Sequence, residues 1–492
     1  MHRSVKQEKF FFGKKVLVMG LGLHGGGVAT ARWLAQHGAQ VTATDMRERK
    51  ILAPSITALK GVPVRFVLGE HRKEDFRSHD LVVVNPGVPR ESTYLALARK
   101  AGKRIENDAS IFFRCTDAPT IAVTGTRGKT TTTLWIAALL QKNYPKVRAS
   151  GNTPDNAFLK EFDRVQGKGI PVVAEMSSWQ LEYLPTAFAT GVGLPPSGRA
   201  PHVAVITNLY ADHLNRYAGG MIDYASAKAN IFRMQHDDDF LVLNYDNAWT
   251  KFFLKQRPRG LVFFVSTTPL PKKLNGLFVH DKKLIFRFDG MEQQLFSVAC
   301  FLRERGAHNL ENLLSAVLAV KLFDPTVIVN EAYVLRLPTP PMRQETIYKK
   351  GKLTIVNDSC ATSPDGTIAA LKRLSREGHV VLIAGGTDKQ LEFASLAALI
   401  KRSIPPEQLV LLNGSATAKL FGALHAISYD KKYPMSAHED LASCVRAAFL
   451  RASTLKGKTT ILFSPGAASF EKFLHEFDRG KKFNQLIRNL VR

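Results

Sequence analysis

The short apolar run Thr120-Ile121-Ala122-Val123-Thr124 passes directly into Gly125-Thr126-Arg127-Gly128-Lys129-Thr130-Thr131 and then into TTTLWIAALLQ, a helix-forming stretch. A buried strand, a glycine turn and a helix in that order commit this part of the chain to an α/β sheet with its loops at the strand ends. The residue types also point to a chemistry. Glycines let backbone N–H groups close around a phosphate, and the helix N-terminus adds a favourable dipole. Lys129 supplies a point charge, and Thr130 or Thr131 can reach Mg²⁺. The loop is shorter than GxxxxGK[ST], because its first glycine lies nearer the lysine. The bland alternative is a glycine turn before a threonine-rich helix start.

Strand and helix patterns alternate on both sides of this motif. Upstream, KVLVMG, a glycine turn, VATARWLAQHG, QVTATD and LVVVNPGVP form one α/β block. The central block continues through PVVAEM, HVAVITN and FLVLNYD. After the proline-rich PTPPMR, a third block carries LTIVND, VVLIAGG, LVLLNG and TTILFSPG as four short strands. At 492 residues the chain is long enough for about three domains. Boundaries near 117 and 338 predict domains over 1–117, 118–337 and 338–492. With 45% hydrophobic and 22% charged residues, each can bury a core.

Cys115, Cys300, Cys360 and Cys444 form no CxxC pair, which argues against a zinc site or a disulfide framework and fits a reducing cytosol. The three-Phe patch near the N-terminus is too short for a membrane span, and no run reaches about 18 apolar residues. The expectation is a soluble, cytoplasmic protein without stable membrane insertion. The formal charge of +26 would attract polyanions, but the basic residues are spread along the chain in pieces such as KKYP, GKKF and RPRG.

Gly20, Gly22 and Gly25 spell GxGxxG after a strand, and Asp45 closes the next strand. Read alone, this marks an NAD site, another nucleotide's diphosphate at a helix N-terminus, or a tight strand-to-helix crossing.

Together these residues resemble the Mur ligase family. GTRGKTT is similar to that family's GTxGKT/S phosphate loop, and further motifs follow in the family's order over nearly the whole chain. GNTP at 151–154, EMSSWQLE at 175–182, ADHLNRY and YASAKANIF resemble central-domain signatures of its D-glutamate-adding branch. HNLEN at 308–312, NDSCATSPDGT at 357–367, AGGTDK at 384–389 and SPGAASFEKFLHEFDRG at 464–480 extend the likeness into the third block. The resemblance implies three domains: an N-terminal Rossmann-like UDP-binding domain, a central P-loop ATPase-type α/β domain and a C-terminal Rossmann-like domain.

It also implies an acid–amino-acid ligase. ATP would phosphorylate the carboxylate of UDP-N-acetylmuramoyl-L-alanine, and the amine of D-glutamate would attack the acyl phosphate, a step in peptidoglycan precursor synthesis. Lys129 and Mg²⁺, two ions in the resembling enzymes, would stabilise the transferring charge. The implied metal ligands are Thr130, Glu175, His213 and Lys228, the last as a carbamate; by its residues alone Lys228 reads as a helix-surface lysine. Asn309, Asn312, Arg343 and Asp358 match positions around ATP, with Arg343 after the proline-rich hinge at a place suited to a domain-closure clamp. Locally, Asp358 could instead cap the following turn. Thr362, Lys389, Ser469, Phe470 and Phe477 match the D-glutamate site, although Phe477 alone reads as core. The glycine turn is thereby reassigned. Gly22, Leu23 and His24 would face the UDP diphosphate and Asp45, Met46 and Arg47 the uridine, with Gly87 and Asn152 also on that substrate.

Three departures stand out. Cys360 replaces the family's usual lysine in DSKATN, Asn85 stands where serine is common, and extra residues lie in LPPSGRAPH at 194–202. The competing readings are another ligase of the family with a different amino acid or acceptor, and a basic nucleotide- or nucleic-acid-binding protein that has lost catalysis. Lys129, Glu175, His213 and Lys228 are all retained and no base-stacking aromatic module is evident, so a monomeric enzyme that binds no nucleic acid is expected.

Overall fold

The computed structural model describes residues 9–23, 25–151, 157–185, 200–212, 216–429 and 436–491. Its contacts divide the chain into two compact units, Met1–Pro338 and Thr339–Arg492.

The first unit holds two sheets. In the N-terminal one, β1 (Lys15–Met19), β2 (Gln40–Asp45), β3 (Val64–Leu68), β4 (Leu81–Val84) and β5 (Arg104–Glu106) lie parallel in the order β3-β2-β1-β4-β5. The order reverses between β1 and β4, and in open α/β sheets the crevice at such a reversal is where ligands bind. Helix α1 (Gly26–Gln36) follows β1 and α2 (Asp108–Cys115) follows β5. A capping box at Asn107 and Ser110 fixes the start of α2.

The second sheet comprises β6 (Thr120–Thr124), β7 (Ala149–Gly151), β8 (Val172–Glu175), β9 (Val203–Ile206), β10 (Phe240–Asn244), β11 (Leu261–Ser266), β12 (Gly276–His280), β13 (Lys283–Phe288) and β14 (Met291–Ser297). Their order is β14-β13-β12-β11-β10-β9-β6-β8-β7, parallel except for the antiparallel β12–β14 meander. Strand β6 is buried at all five positions, as a central strand covered on both faces must be. Helix α3 (Lys129–Leu140) packs on one face with α6 (Leu310–Phe323), through a core that includes Trp135, Ile136, Leu313 and Val317. Between them in the chain come the short α4 (Ser178–Leu181) and α5 (Gly220–Ala229).

The second unit carries β15 (Glu345–Lys350), β16 (Leu353–Asn357), β17 (His379–Ala384), β18 (Leu409–Leu412), β19 (Ala437–His438) and β20 (Thr459–Phe463), ordered β15-β16-β20-β17-β18-β19. Only β15 is antiparallel to its neighbour. This sheet therefore has two strands, β15 and β19, beyond the four expected. Separate apolar cores cover its two faces, and α7 (Glu476–Val491) ends the chain. The molecule is thus α/β with three sheets. No described helix is long and apolar enough to cross a membrane.

Candidate active site

The phosphate loop is built by exclusion as much as by contact. Gly125 has φ 150°, and a Cβ there would lie 1.9 Å from Thr207 Oγ1. Gly128 sits in the left-handed region at φ 79°, and a Cβ there would lie 2.0 Å from Asn312 Oδ1. Side chains at either position would displace the residues that hold the loop. Asn208 fixes its middle, since its Oδ1 accepts from Arg127 N at 2.9 Å and its carbonyl from Thr126 N at 3.0 Å. Thr207 Oγ1 donates to Arg127 O at 2.6 Å. Gly128→Ala is accordingly expected to weaken ATP binding by about tenfold or more, the left-handed strain and the clash adding. Calorimetric titration with a non-hydrolysable ATP analogue measures this.

Lys129 opens α3, and its Nζ donates to Gly125 O and Thr126 O, both at 3.1 Å. Thr130 and Thr131 occupy the first turn of α3, Thr131 buried and Thr130 partly so. Thr126 Oγ1 accepts from Tyr210 N at 3.0 Å and lies 3.3 Å from the Tyr224 hydroxyl. Arg127 is exposed, its guanidinium 5.0 Å over the Tyr210 ring. The HNLEN asparagines join this group. Asn312 Nδ2 donates to Asn309 Oδ1 at 3.2 Å, and Thr132 Oγ1 donates to Asn312 Oδ1 at 3.5 Å.

Glu175 terminates β8, 3% exposed, in register with Val123 of β6 and with Gly151 of β7. Lys228 differs from its local reading: it is 1% exposed rather than on a helix surface. The reason is that Tyr224, Ala225, Ala227 and Lys228 form the inward face of α5. Its Nζ donates to Gly125 O at 2.9 Å and Thr124 Oγ1 at 3.3 Å. Burial pushes the Lys228 ammonium well below the usual lysine range, and the nearby Lys129 charge pushes the same way against Asp212 and Glu175. His213 lies outside the described residues, as do His24, Asn152 and most of the 194–202 insertion.

At the glycine turn of the first sheet, Asp45 is buried and its carboxylate is already engaged. Oδ2 accepts from Gly22 N at 2.9 Å and Oδ1 from Arg47 N at 3.0 Å. Asp45 thus shapes this loop from beneath. Leu23 is partly buried, and Met46, Arg47 and Gly87 are exposed.

In the C-terminal unit, Asp358 does not cap the turn after it. It is buried, accepting from Ser464 Oγ at 2.7 Å and Gln344 N at 3.0 Å. Burial pushes its carboxyl up to about 7. Arg343 is partly buried just upstream, between Met342 and Gln344, both at positive φ. Thr362, Lys389 and Ser469 lie on three loops that follow β16, β17 and β20. The fully buried Arg479 ties the loops after β16 and β20 together, donating to Ser359 O, Ala467 O and Ala468 O at 2.7–3.0 Å. A Thr387–Ala468 bridge closes two of them. Ser469 Oγ is buried with no hydrogen-bond partner among the described residues, so it is available to a ligand. Phe470 is exposed, and Phe477 is half-buried rather than core, 5.8 Å from the His475 ring. Cys360 is buried and its thiol pushed up to about 12 by that burial. It cannot replace a cation.

Thr124, Thr207, Asn208, Tyr224 and Arg479 shape these sites without having been singled out from sequence. Thr124 and Thr207–Asn208 could have been found from their places at the ends of the strands flanking the phosphate loop. Arg479 lies within the SPGAASFEKFLHEFDRG segment, but its residue type alone gave it no role.

Against known proteins, residues 123–320 match the family model described as Mur ligase middle domain, and residues 14–106 that of a Mur ligase MurD-like N-terminal domain. The chain is 38% identical to the UDP-N-acetylmuramoylalanine–D-glutamate ligase of Roseiflexus sp., with 97% of this chain and 99% of the relative covered. It is 34% identical to the enzyme of that name from Treponema pallidum, with 97% and 98% covered. Among solved structures it resembles UDP-N-acetylmuramate–alanine ligase MurC from Thermotoga maritima, with a TM-score of 0.58 at 19% identity and 97% and 99% coverage. The MurF ligase of the same organism, solved with ADP, gives a TM-score of 0.54 at 16% identity, with 98% and 97% covered.

Proposed function

The chain belongs to the Mur ligase family, and from that premise we infer how its residues join D-glutamate to UDP-N-acetylmuramoyl-L-alanine at the expense of ATP in peptidoglycan synthesis. The observation that carries the reading is that Lys129 Nζ and the buried Lys228 Nζ both donate to Gly125 O of the phosphate loop, with Glu175 near enough for its charge to act on Lys228. In the first step a carboxylate oxygen of the UDP-linked substrate attacks the γ-phosphorus of ATP, giving an acyl phosphate and ADP. The amine of D-glutamate then attacks the acyl carbon, loses a proton, and expels phosphate. Both steps bring anions together, so the loop N–H groups and Lys129 act where negative charge accumulates. Asn309, Asn312, Arg343 and Asp358 bind the nucleotide, and Gly22, Leu23, His24, Asp45, Met46, Arg47, Gly87 and Asn152 bind the UDP portion.

The donor set is tested by its chemistry. Among the described residues no group of three His, Cys, Asp or Glu side chains could hold a metal ion. Glu175 and Thr130 supply oxygens, but Lys228 as an ammonium would repel a cation. As a neutral amine it can add CO₂, and the resulting carbamate supplies the missing hard oxygen donors that Mg²⁺ prefers. We therefore assign Thr130, Glu175, His213 and carbamylated Lys228 as the residues that would hold Mg²⁺. Bound there, Mg²⁺ would neutralise phosphate charge.

In the C-terminal unit, Thr362, the orphan hydroxyl of Ser469, the Phe470 N–H, Lys389 and Phe477 form the proposed D-glutamate site. Nucleotide substrates and free thiols suit the cytoplasm, and a monomer suffices for this chemistry. The test is phosphate release from ATP with UDP-N-acetylmuramoyl-L-alanine and Mg²⁺, comparing D-glutamate, L-glutamate and no amino acid. Release is expected only with D-glutamate; equal release without it would sink the assignment and point to Cys360 and a different acceptor.

A further inference from the structure

The loop after β4 lines a small cavity at the N-terminus of α1, where Asn85 and Pro86 meet Gly26, Gly27 and Asp108. Local hydrogen bonds define only part of this loop: Val88 N donates to Asn85 O at 2.9 Å and Gly87 N to Asn85 Oδ1 at 3.3 Å. Its outward carbonyls are held from the central sheet's side. Arg216 donates from Nη1 to Pro86 O and from Nη2 to Val88 O, each at 3.3 Å. A planar fork can serve two carbonyls two residues apart, which a lysine ammonium cannot do with the same geometry.

Arg216 is itself held. Its guanidinium carbon lies 4.3 Å over the Trp179 ring, and Nη2 is 3.8 Å from Glu182 Oε2. The other Glu182 oxygen accepts from the Tyr217 hydroxyl at 2.7 Å, and burial pushes that phenol up, so it remains a donor. The side chains of Arg216 and Glu182 are only 12% and 4% exposed. Trp179, Gln180 and Glu182 belong to one turn, whose backbone is anchored in turn to α2 by Asn107 Nδ2 donating to Gln180 O at 3.0 Å. The SSWQLE segment is therefore a bracket between the two sheets of this unit, with Arg216 as its arm.

We propose that Arg216 is a positioning residue for the UDP-linked substrate, holding the 86–88 loop in its gripping conformation while Trp179 and Glu182 hold Arg216. This rests on the reading of the N-terminal sheet as the UDP site.

The test uses the full chain with Arg216→Gln, Arg216→Lys and Trp179→Leu. Binding of UDP-N-acetylmuramoyl-L-alanine is measured by calorimetry without ATP or amino acid, alongside KM for each substrate, kcat and Tm. Arg216→Gln should weaken binding of the UDP-linked substrate by about tenfold or more, with KM for ATP and D-glutamate within about twofold. Arg216→Lys should recover part of the loss, and Trp179→Leu should give a smaller loss in the same direction. Unchanged affinity in Arg216→Gln would overturn the proposal, as would a fall in kcat with every KM unchanged. Should Arg216→Gln yield no folded chain, Trp179→Leu decides, and unchanged affinity there overturns it. A wild-type chain that does not bind this substrate at all would instead bring down the functional reading on which the proposal rests.

Discussion

Lys129→Ala is expected to lower D-glutamate-dependent phosphate release by about a thousandfold or more, the range seen when a preorganised charge is removed from a phosphoryl-transfer site. The ammonium lies at the mouth of α3, 3.1 Å from two carbonyls of its own loop. On the proposed reading, bound ATP would exchange those carbonyls for phosphate oxygens of greater charge, and the interaction would strengthen as negative charge grows during transfer. Arg127 is a poor substitute, because it is exposed and stacked on Tyr210. Steady-state assays at saturating substrates should show the loss in kcat. Retention of more than about a tenth of the activity would mean that the lysine does not meet the transferring phosphoryl group.

The second large effect concerns Lys228. Lys228→Ala should reduce turnover by about a hundredfold or more, and Lys228→Arg should not restore it, because a guanidinium cannot form the carbamate. The sign with pH follows from the depressed affinity of this amine for protons. Lowering pH protonates it and removes the species that adds CO₂, so activity depleted of CO₂ should recover with bicarbonate more readily at higher pH. Incorporation of ¹³C-bicarbonate, read by NMR, should give a carbamate signal that Lys228→Ala lacks. Full activity in rigorously CO₂-free buffer at every pH would rule the carbamate out.

How far these sites were legible in the sequence depends on the kind of order that forms them. Strands β1, β6, β8 and β17 were visible because parallel strands covered on both faces read as unbroken apolar runs, and the ligand loops follow them directly. Strands β5, β7 and β19 span only two or three residues, too few to show a pattern. The β12–β14 meander was missed although Asp289-Gly290, both at positive φ, is a strong hairpin signal. The phosphate-loop residues were evident from backbone chemistry. Burial of Lys228 was not, because it depends on how α5 lies against β6, a tertiary fact that no local periodicity encodes. The two backbone N–H groups that hold the Asp45 carboxylate, those of Gly22 and Arg47, are likewise set by the turn's tertiary geometry rather than by any local pattern. Arg216 acts on the carbonyls of Pro86 and Val88 and Arg479 on that of Ser359, all distant in sequence, and such partners leave no spacing to read.

The antiparallel end of the central sheet bears on the behaviour of many molecules together. Among the described residues, strand β14 ends its sheet, and its first four residues, Met291 to Gln294, are exposed, Met291 at 74%. An unpaired border of this kind offers backbone groups on which a second copy could add a strand and begin aggregation. Here the border carries Glu292, bonded to Arg287 on β13, and two glutamines rather than a β-branched apolar row. Approaching copies also each bear a formal +26. Net positive charge and a border of Glu and Gln side chains both oppose such edge-to-edge pairing.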